Sequence, residues 1–240
     1  MAIKKRPVSP RQKMINLMYV VLMAMLALNV STEVLNGFSI VEESIGRTAA
    51  NASKENQVIY DDFEAQLKAN PAKVKEWFDK AQAVRRMSDS LFNLADELKI
   101  AIVKEADGED GDVKNIEAKD NLEAANQVML APGRGRGGEL YNAINSFRNR
   151  ILAMIDDSAQ KQIISSNLST SIPANVVTMG KNWQEYMFED MPVAGAVTLL
   201  TKLQSDVRYA EGEVLHKLVS NIDLKDIRVN SLNAFVIPNS

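Results

Sequence analysis

The sequence predicts an all-α protein: a single N-terminal transmembrane helix, then a helical bundle, then a β-type stretch at the C-terminus. Three observations predict it. Met14 to Val30 is apolar except for Asn16 and Asn29, and at 1.5 Å per residue such a run crosses most of a hydrocarbon core of about 30 Å. Apolar residues then recur at helical spacing from Val74 to Ile102 and again from Val193 to Leu218, as on the buried faces of bundle helices. After Asp223 the pattern changes to Ile227, Val229, Phe235, Val236 and Ile237 in a short polar setting, which reads as β-type.

Basic residues crowd the near side of the apolar run: Lys4, Lys5, Arg6, Arg11 and Lys13. The first charge on the far side is Glu33. That asymmetry predicts a cytoplasmic N-terminus and a translocated C-terminal body. The expected organisation is a cytoplasmic tail over 1–13, a transmembrane helix over 14–36, a helical bundle over 37–223 and a linker over 224–240. A signal peptide needs a shorter apolar core and a small-x-small cleavage site; Ala27-Leu28-Asn29 matches that site poorly, so a retained anchor is expected.

Wound as one helix, the run aligns Arg11, Ile15, Met18, Leu22, Met25, Asn29 and Glu33 on a single stripe. Arg11 and Glu33 then stand roughly 33 Å apart, at the two membrane edges. Polar groups near lipid face protein or water, which makes this stripe a candidate partner-facing side. The alternative is that Arg11 snorkels to the inner headgroups and Glu33 sits in water. Tyr19 lies too deep for an interfacial belt residue, and a buried phenol needs a hydrogen-bond partner.

Beyond the anchor, Val34, Phe38, Val41 and Ile45 step by four, three and four, as coiled-coil seam positions do. Two readings stand: pairing with a second copy, or packing within the same domain. Asn70-Pro71 is a helix start, with Asn as cap and Pro at the first helical position. The helix it opens carries Val74, Trp77, Phe78, Ala81, Val84, Met87, Leu91, Leu94, Leu98 and Ile102 on one face. Its charged residues, Arg85, Asp89 and Asp96 among them, are assigned to a solvated face. Asp107 to Asp112 reads as an exposed acidic loop lacking the spacing of a calcium-binding hand. Ala131 to Gly138 reads as a flexible loop, since the lysine and hydroxyl residue of a phosphate loop are absent. Glu139 to Ile164 reads as one helix. Trp183, Tyr186, Met187 and Phe188 read as an aromatic plug closing the bundle. The helix after Pro192 is expected to pair antiparallel with the one from Pro71.

With 240 residues and a net charge of −3, the chain lacks the basic excess of a nucleic-acid binder,. It contains no cysteine and one histidine, His216, so no thiolate or histidine metal cluster is expected and no base–nucleophile pair,. Enzymatic activity, cofactors and bound metals are therefore not expected.

The segment PRQKMINLMYVVLMAMLALNVSTEVLNGF, Pro10 to Phe38, resembles the N-terminus of the GldM/PorM family. These are inner-membrane motor subunits of the type IX secretion system that also drives gliding. The resemblance implies a dimer whose membrane helices thread a ring of five polytopic GldL/PorL-type partner chains carrying an intramembrane glutamate. It implies that Arg11 faces that glutamate, with Tyr19 and Glu33 as the other polar positions used; Asn29 on the same stripe joins them as a candidate. It also implies further β-rich periplasmic domains after Ser240, reaching other secretion components. The competing expectation is a passive anchored scaffold.

Overall fold

A computed structural model describes residues 10–28, 31–174 and 180–233, with side chains placed for 11–23, 31–174 and 180–222. Among the described residues the chain forms eight helices and no strand: α1 (Pro10–Leu28), α2 (Thr32–Ala69), α3 (Pro71–Asp107), α4 (Glu123–Leu130), α5 (Gly137–Leu152), α6 (Ser158–Asn167), α7 (Trp183–Phe188) and α8 (Val193–Asn233). The predicted all-α class holds. The β-type reading of 224–240 does not hold as far as Asn233, because α8 continues through it; 234–240 lie outside the described residues.

The predicted continuous helix over 14–36 is two helices. Ser31 has extended geometry (φ −66°, ψ 147°) and its hydroxyl accepts from Val34 N, so α2 starts afresh there,. Among the described residues no helix is long and apolar enough to cross a membrane. α1 is described from Pro10 to Leu28. Its apolar part, from Met14, rises only about 22 Å against a core of about 30 Å. Asn29 and Val30, the end of the apolar run, fall outside the described residues.

Three long helices make the body. Asn70-Pro71 turns α2 back into α3, and Asn70 N–H closes α2 on Gln66 O at 2.9 Å. α8 lies against both: parallel to α2, as the Glu42–Thr201 and Asn56–Arg208 contacts establish, and antiparallel to α3, as the Asp89–Arg208 and Lys99–Gln204 pairs establish. The stripe predicted on α3 is the core: Val74, Ala81, Val84, Leu91, Leu98 and Ile102 are all buried. On α2 the buried repeat is Leu35, Ala49, Asn56 and Phe63, with half-buried Glu42 in the same series. These are residues seven apart, the spacing of a coiled-coil seam. The repeat lies one residue round from the expected Val34 and Val41, which are 50% and 48% exposed.

The short helices α4, α5, α6 and α7 form a second layer over α3 and α8. Their limits are set by caps. The helix expected from Glu139 to Ile164 breaks after Leu152, because Asp157 takes extended geometry and accepts Gln160 N at 2.9 Å, opening α6. Asn182 and Glu185 form a reciprocal capping box at α7,. Trp183 and Phe188 are buried and meet edge-on at 6.2 Å, with Tyr141 at 5.7 Å from Trp183. The aromatic plug is thus where it was expected. The first N–H groups of α8 donate to Asn121 O and Lys119 O, so the loop before α4 closes the end of the bundle,.

The glycine-rich stretch before α5 is a tight turn, contrary to the flexible loop expected. Gly135 N donates to Ala131 O at 2.7 Å, and Arg136 N to Val128 O at 3.0 Å. The turn folds back on α4 so closely that a Cβ at Gly137 would lie 2.8 Å from Met129 O. Backbone cannot yield there as a side chain can. Gly137→Ala is expected to cost about 1–3 kcal/mol by overpacking. At Gly138 an added Cβ would meet only Gln184 Nε2, at 3.7 Å. The Gly138→Ala midpoint in urea should match or exceed wild type, while that of Gly137→Ala falls.

Candidate functional site: a bare helix and a polar seam

The four residues expected to act in the membrane divide among three situations. Arg11 and Tyr19 lie on α1, where every side chain from Arg11 to Met23 is exposed. Met18 is 70% and Tyr19 64% exposed, so this apolar helix covers nothing and is covered by nothing among the described residues. Asn29 lies outside the described residues. Glu33 is exposed in the first turn of α2, beside the Ser31 cap. A carboxylate there is favoured by the partial positive charge of the helix start. Glu33 therefore sits on α2, a different helix from Arg11 and Tyr19.

A second constellation was missed by sequence reasoning. Down α8, Thr198, Thr201, Gln204, Arg208 and Glu211 recur every three or four residues along its inward face. Each reaches across to a neighbour. Thr198 Oγ1 donates to Ala194 O on its own helix at 2.7 Å and approaches Phe38 O at 3.3 Å, while Thr201 Oγ1 donates to Glu42 Oε1 at 2.9 Å. Gln204 Oε1 accepts from Lys99 Nζ at 2.7 Å, while its amide donates to Phe92 O at 3.1 Å. Arg208 donates through Nη2 to Asp89 and through Nη1 to Glu211, both at 2.8 Å. Its guanidinium also stacks over the Phe92 ring, 4.5 Å from the centroid. Glu211, only 1% exposed, accepts from Tyr60 OH at 2.7 Å and from Asn56 Nδ2 at 3.2 Å.

The seam corrects the assignment of charge to solvated faces: Lys99 and Glu211 are buried and Asp89 pairs inward. It was missed because each residue alone looks surface-like. The available signal was periodicity, since the polar positions on α8 share the spacing of its apolar stripe.

The electrostatics follow from burial. Loss of water pulls the Arg208 guanidinium down, but hydrogen bonds and charge from Glu211 and Asp89 hold it above its ordinary value. Burial first, and then the Glu211 carboxylate, push the Tyr60 phenol far above its ordinary range. Tyr60 therefore stays a neutral donor. Both Glu211 oxygens are occupied by the chain's own donors, so the cluster offers no base to a substrate. A small glycine completes the fit: at Gly212 an added Cβ would sit 2.8 Å from Asn56 Oδ1. The arrangement fixes the axial position of α8 against α2 and α3 at five successive levels.

The described residues thus form one helical body keyed along α8, preceded by an apolar helix that none of them covers. The GldM N-terminal domain matches residues 33–221, and the chain belongs to that family. It is thereby a component of the type IX secretion and gliding machinery. The match starts at Glu33, so α1 with Arg11 and Tyr19 precedes it. Comparison with curated proteins gives no match.

Removing one partner of a buried pair leaves the other charge uncompensated. Glu211→Ala is expected to cost about 3–5 kcal/mol. Glu211→Gln keeps an acceptor for Tyr60 and should cost less. Replacing Arg208 and Glu211 together by Met and Leu should cost less than the sum of the single changes, as a double-mutant cycle by urea denaturation would read.

Proposed function

We propose that the chain is a subunit of a proton-motive-force-driven motor of the inner membrane. In this reading α1 and the residues after it anchor the protein, with the N-terminus cytoplasmic and α2 to α8 in the periplasm. Two copies thread a ring of five GldL/PorL-type chains. The observation that carries the proposal is the pairing of an uncovered helix bearing Arg11 and Tyr19 with a keyed body. α1 leads into α2, and α2 is locked along α8 by the seam.

The chemistry is a competition for one carboxylate. A ring glutamate is stable when paired with the Arg11 guanidinium or when protonated, and each state disfavours the other. Protonation releases Arg11, which then pairs with the next ring subunit. Moving one charge through the membrane potential supplies about 2.3 kcal/mol per 100 mV. Two helices inside a five-fold ring cannot satisfy every site together, so no single resting position dominates. Motion at α1 passes to α2 and through the seam to α8, which carries it outward.

The dimer is supported by the outer face of α2. Val34 and Val41 are half exposed, and Gly37 between them has open space where a Cβ would stand. This face lies beside the one keyed to α8, so pairing with a second copy and packing within the domain do not compete. In full-length protein, Arg11→Ala should abolish secretion and gliding while the ring partner still co-purifies. Secretion at the wild-type level would sink the pairing role and leave a passive scaffold. Val41→Glu should shift the full-length protein in detergent toward monomer by sedimentation, with helicity unchanged. A dimer as tight as wild type would remove α2 from the interface.

A further inference from the structure

Between α3 and α5 runs an open groove of about 430 Å³ on the second layer of the body, away from α1 and the α2 outer face. Its geometry comes from small residues. Ala83 and Ser90 on α3 face Ala143 and Ser146 on α5, so the two helices pack without filling the space above the core. Leu91 and Phe147 lie beneath it, each only 3% exposed, so the apolar surface within reach is that of half-buried Ala83, Met87 and Ala143. On each helix the lining residues follow a step of three, then one, then three, the face of about two helical turns.

The rim is basic. Arg86 stands on the α3 side and Arg150 on the α5 side, both exposed. Neither has a carboxylate partner among the described residues; Arg150 donates only to Met87 Sδ, at 3.6 Å. A thioether is a weak acceptor. Elsewhere in the body Arg47, Arg85, Arg136 and Arg208 pair with carboxylates, while Arg148 donates to Leu168 O and Asn145 Oδ1. None of the residues lining the groove is acidic; Asp89, between Met87 and Ser90, pairs with Arg208 instead.

We propose that this groove docks an acidic, amphipathic peptide segment of a partner protein. One apolar side chain of the segment sits over Leu91 and Phe147, and carboxylates on either side pair with Arg86 and Arg150. Arg is suited to this, because its fork binds a carboxylate through two parallel bonds. The charges steer and orient the segment, and the half-buried side chains of Ala83, Met87 and Ala143 supply the apolar contact,. The site is independent of the motor reading, since it uses neither α1 nor the α2 face.

The test uses the full chain in detergent and a fluorescent helical peptide of alternating Glu-Glu-Leu-Leu blocks, read by anisotropy. Saturable binding is expected, weakening at least about tenfold in Arg86→Glu/Arg150→Glu and falling with added salt. The matching Lys-Lys-Leu-Leu peptide should prefer the charge-reversed variant. A polyglutamate of equal length should bind about tenfold more weakly than the amphipathic peptide. No saturable binding, binding indifferent to the double reversal, or equal binding of polyglutamate would each overturn the proposal. So would a change in sedimentation of the double variant without peptide, which would assign the groove to a second copy of the chain. Circular dichroism of the variant confirms that its helices remain.

Discussion

The buried contact between Arg208 and Glu211 is the constraint on which the body depends. Two opposite charges out of water are tolerated only when their remaining valences are met. Here Tyr60, Asn56 and Asp89 meet most of them, Arg208 Nε alone being buried without a hydrogen-bond partner among the described residues, and the three come from α2, α2 and α3. The pair on α8 can therefore be satisfied at one axial register of all three long helices. Apolar packing alone would not demand this, since sliding a helix by one turn exchanges one aliphatic contact for another. The threonine and glutamine levels above repeat the constraint with single bonds, two of them to the charged Glu42 and Lys99. The second layer then has a fixed surface on which to lie.

α2 has two working faces at the same heptad spacing, offset by one residue. Leu35, Ala49, Asn56 and Phe63 turn inward, and Val34 and Val41 turn outward. A helix that is half-buried on one side and β-branched and small on the other can serve two neighbours at once. This also resolves the two sequence readings of α2. Packing within the domain is present in the fold, and the outer face is left over for a second purpose.

The long apolar stripes made the all-α class, the α2–α3 turn, the antiparallel α3–α8 pair and the aromatic plug legible in the sequence. Periodicity over many turns averages out local exceptions. What stayed hidden was local or paired. Asp157 and Ser31 each end a helical pattern with one side chain, and Ser31 does so inside a sequence that reads as continuous. Gly135 and Gly137 looked like looseness, because a glycine required by close backbone contact and one placed for freedom are the same letter. The seam was invisible for another reason: Arg208 and Glu211 are ordinary surface residues until Tyr60, Asn56 and Asp89, over a hundred positions away, are folded beside them. Of the candidate site, Arg11 and Tyr19 share one helix as read, while Glu33 belongs to the next.

The parallel course of α2 and α8 has a mechanical consequence. The chain enters the body at the Thr32 end of α2 and runs out along α8 toward the opposite end. A pull between those ends loads the α2–α8 contact lengthwise, so that the levels from Thr198 to Glu211 share the strain together. Had the two helices been antiparallel, the same pull would have peeled them apart one contact at a time. The body is arranged to be tugged in shear rather than unzipped, which is the arrangement that lets modest individual bonds hold a large total load.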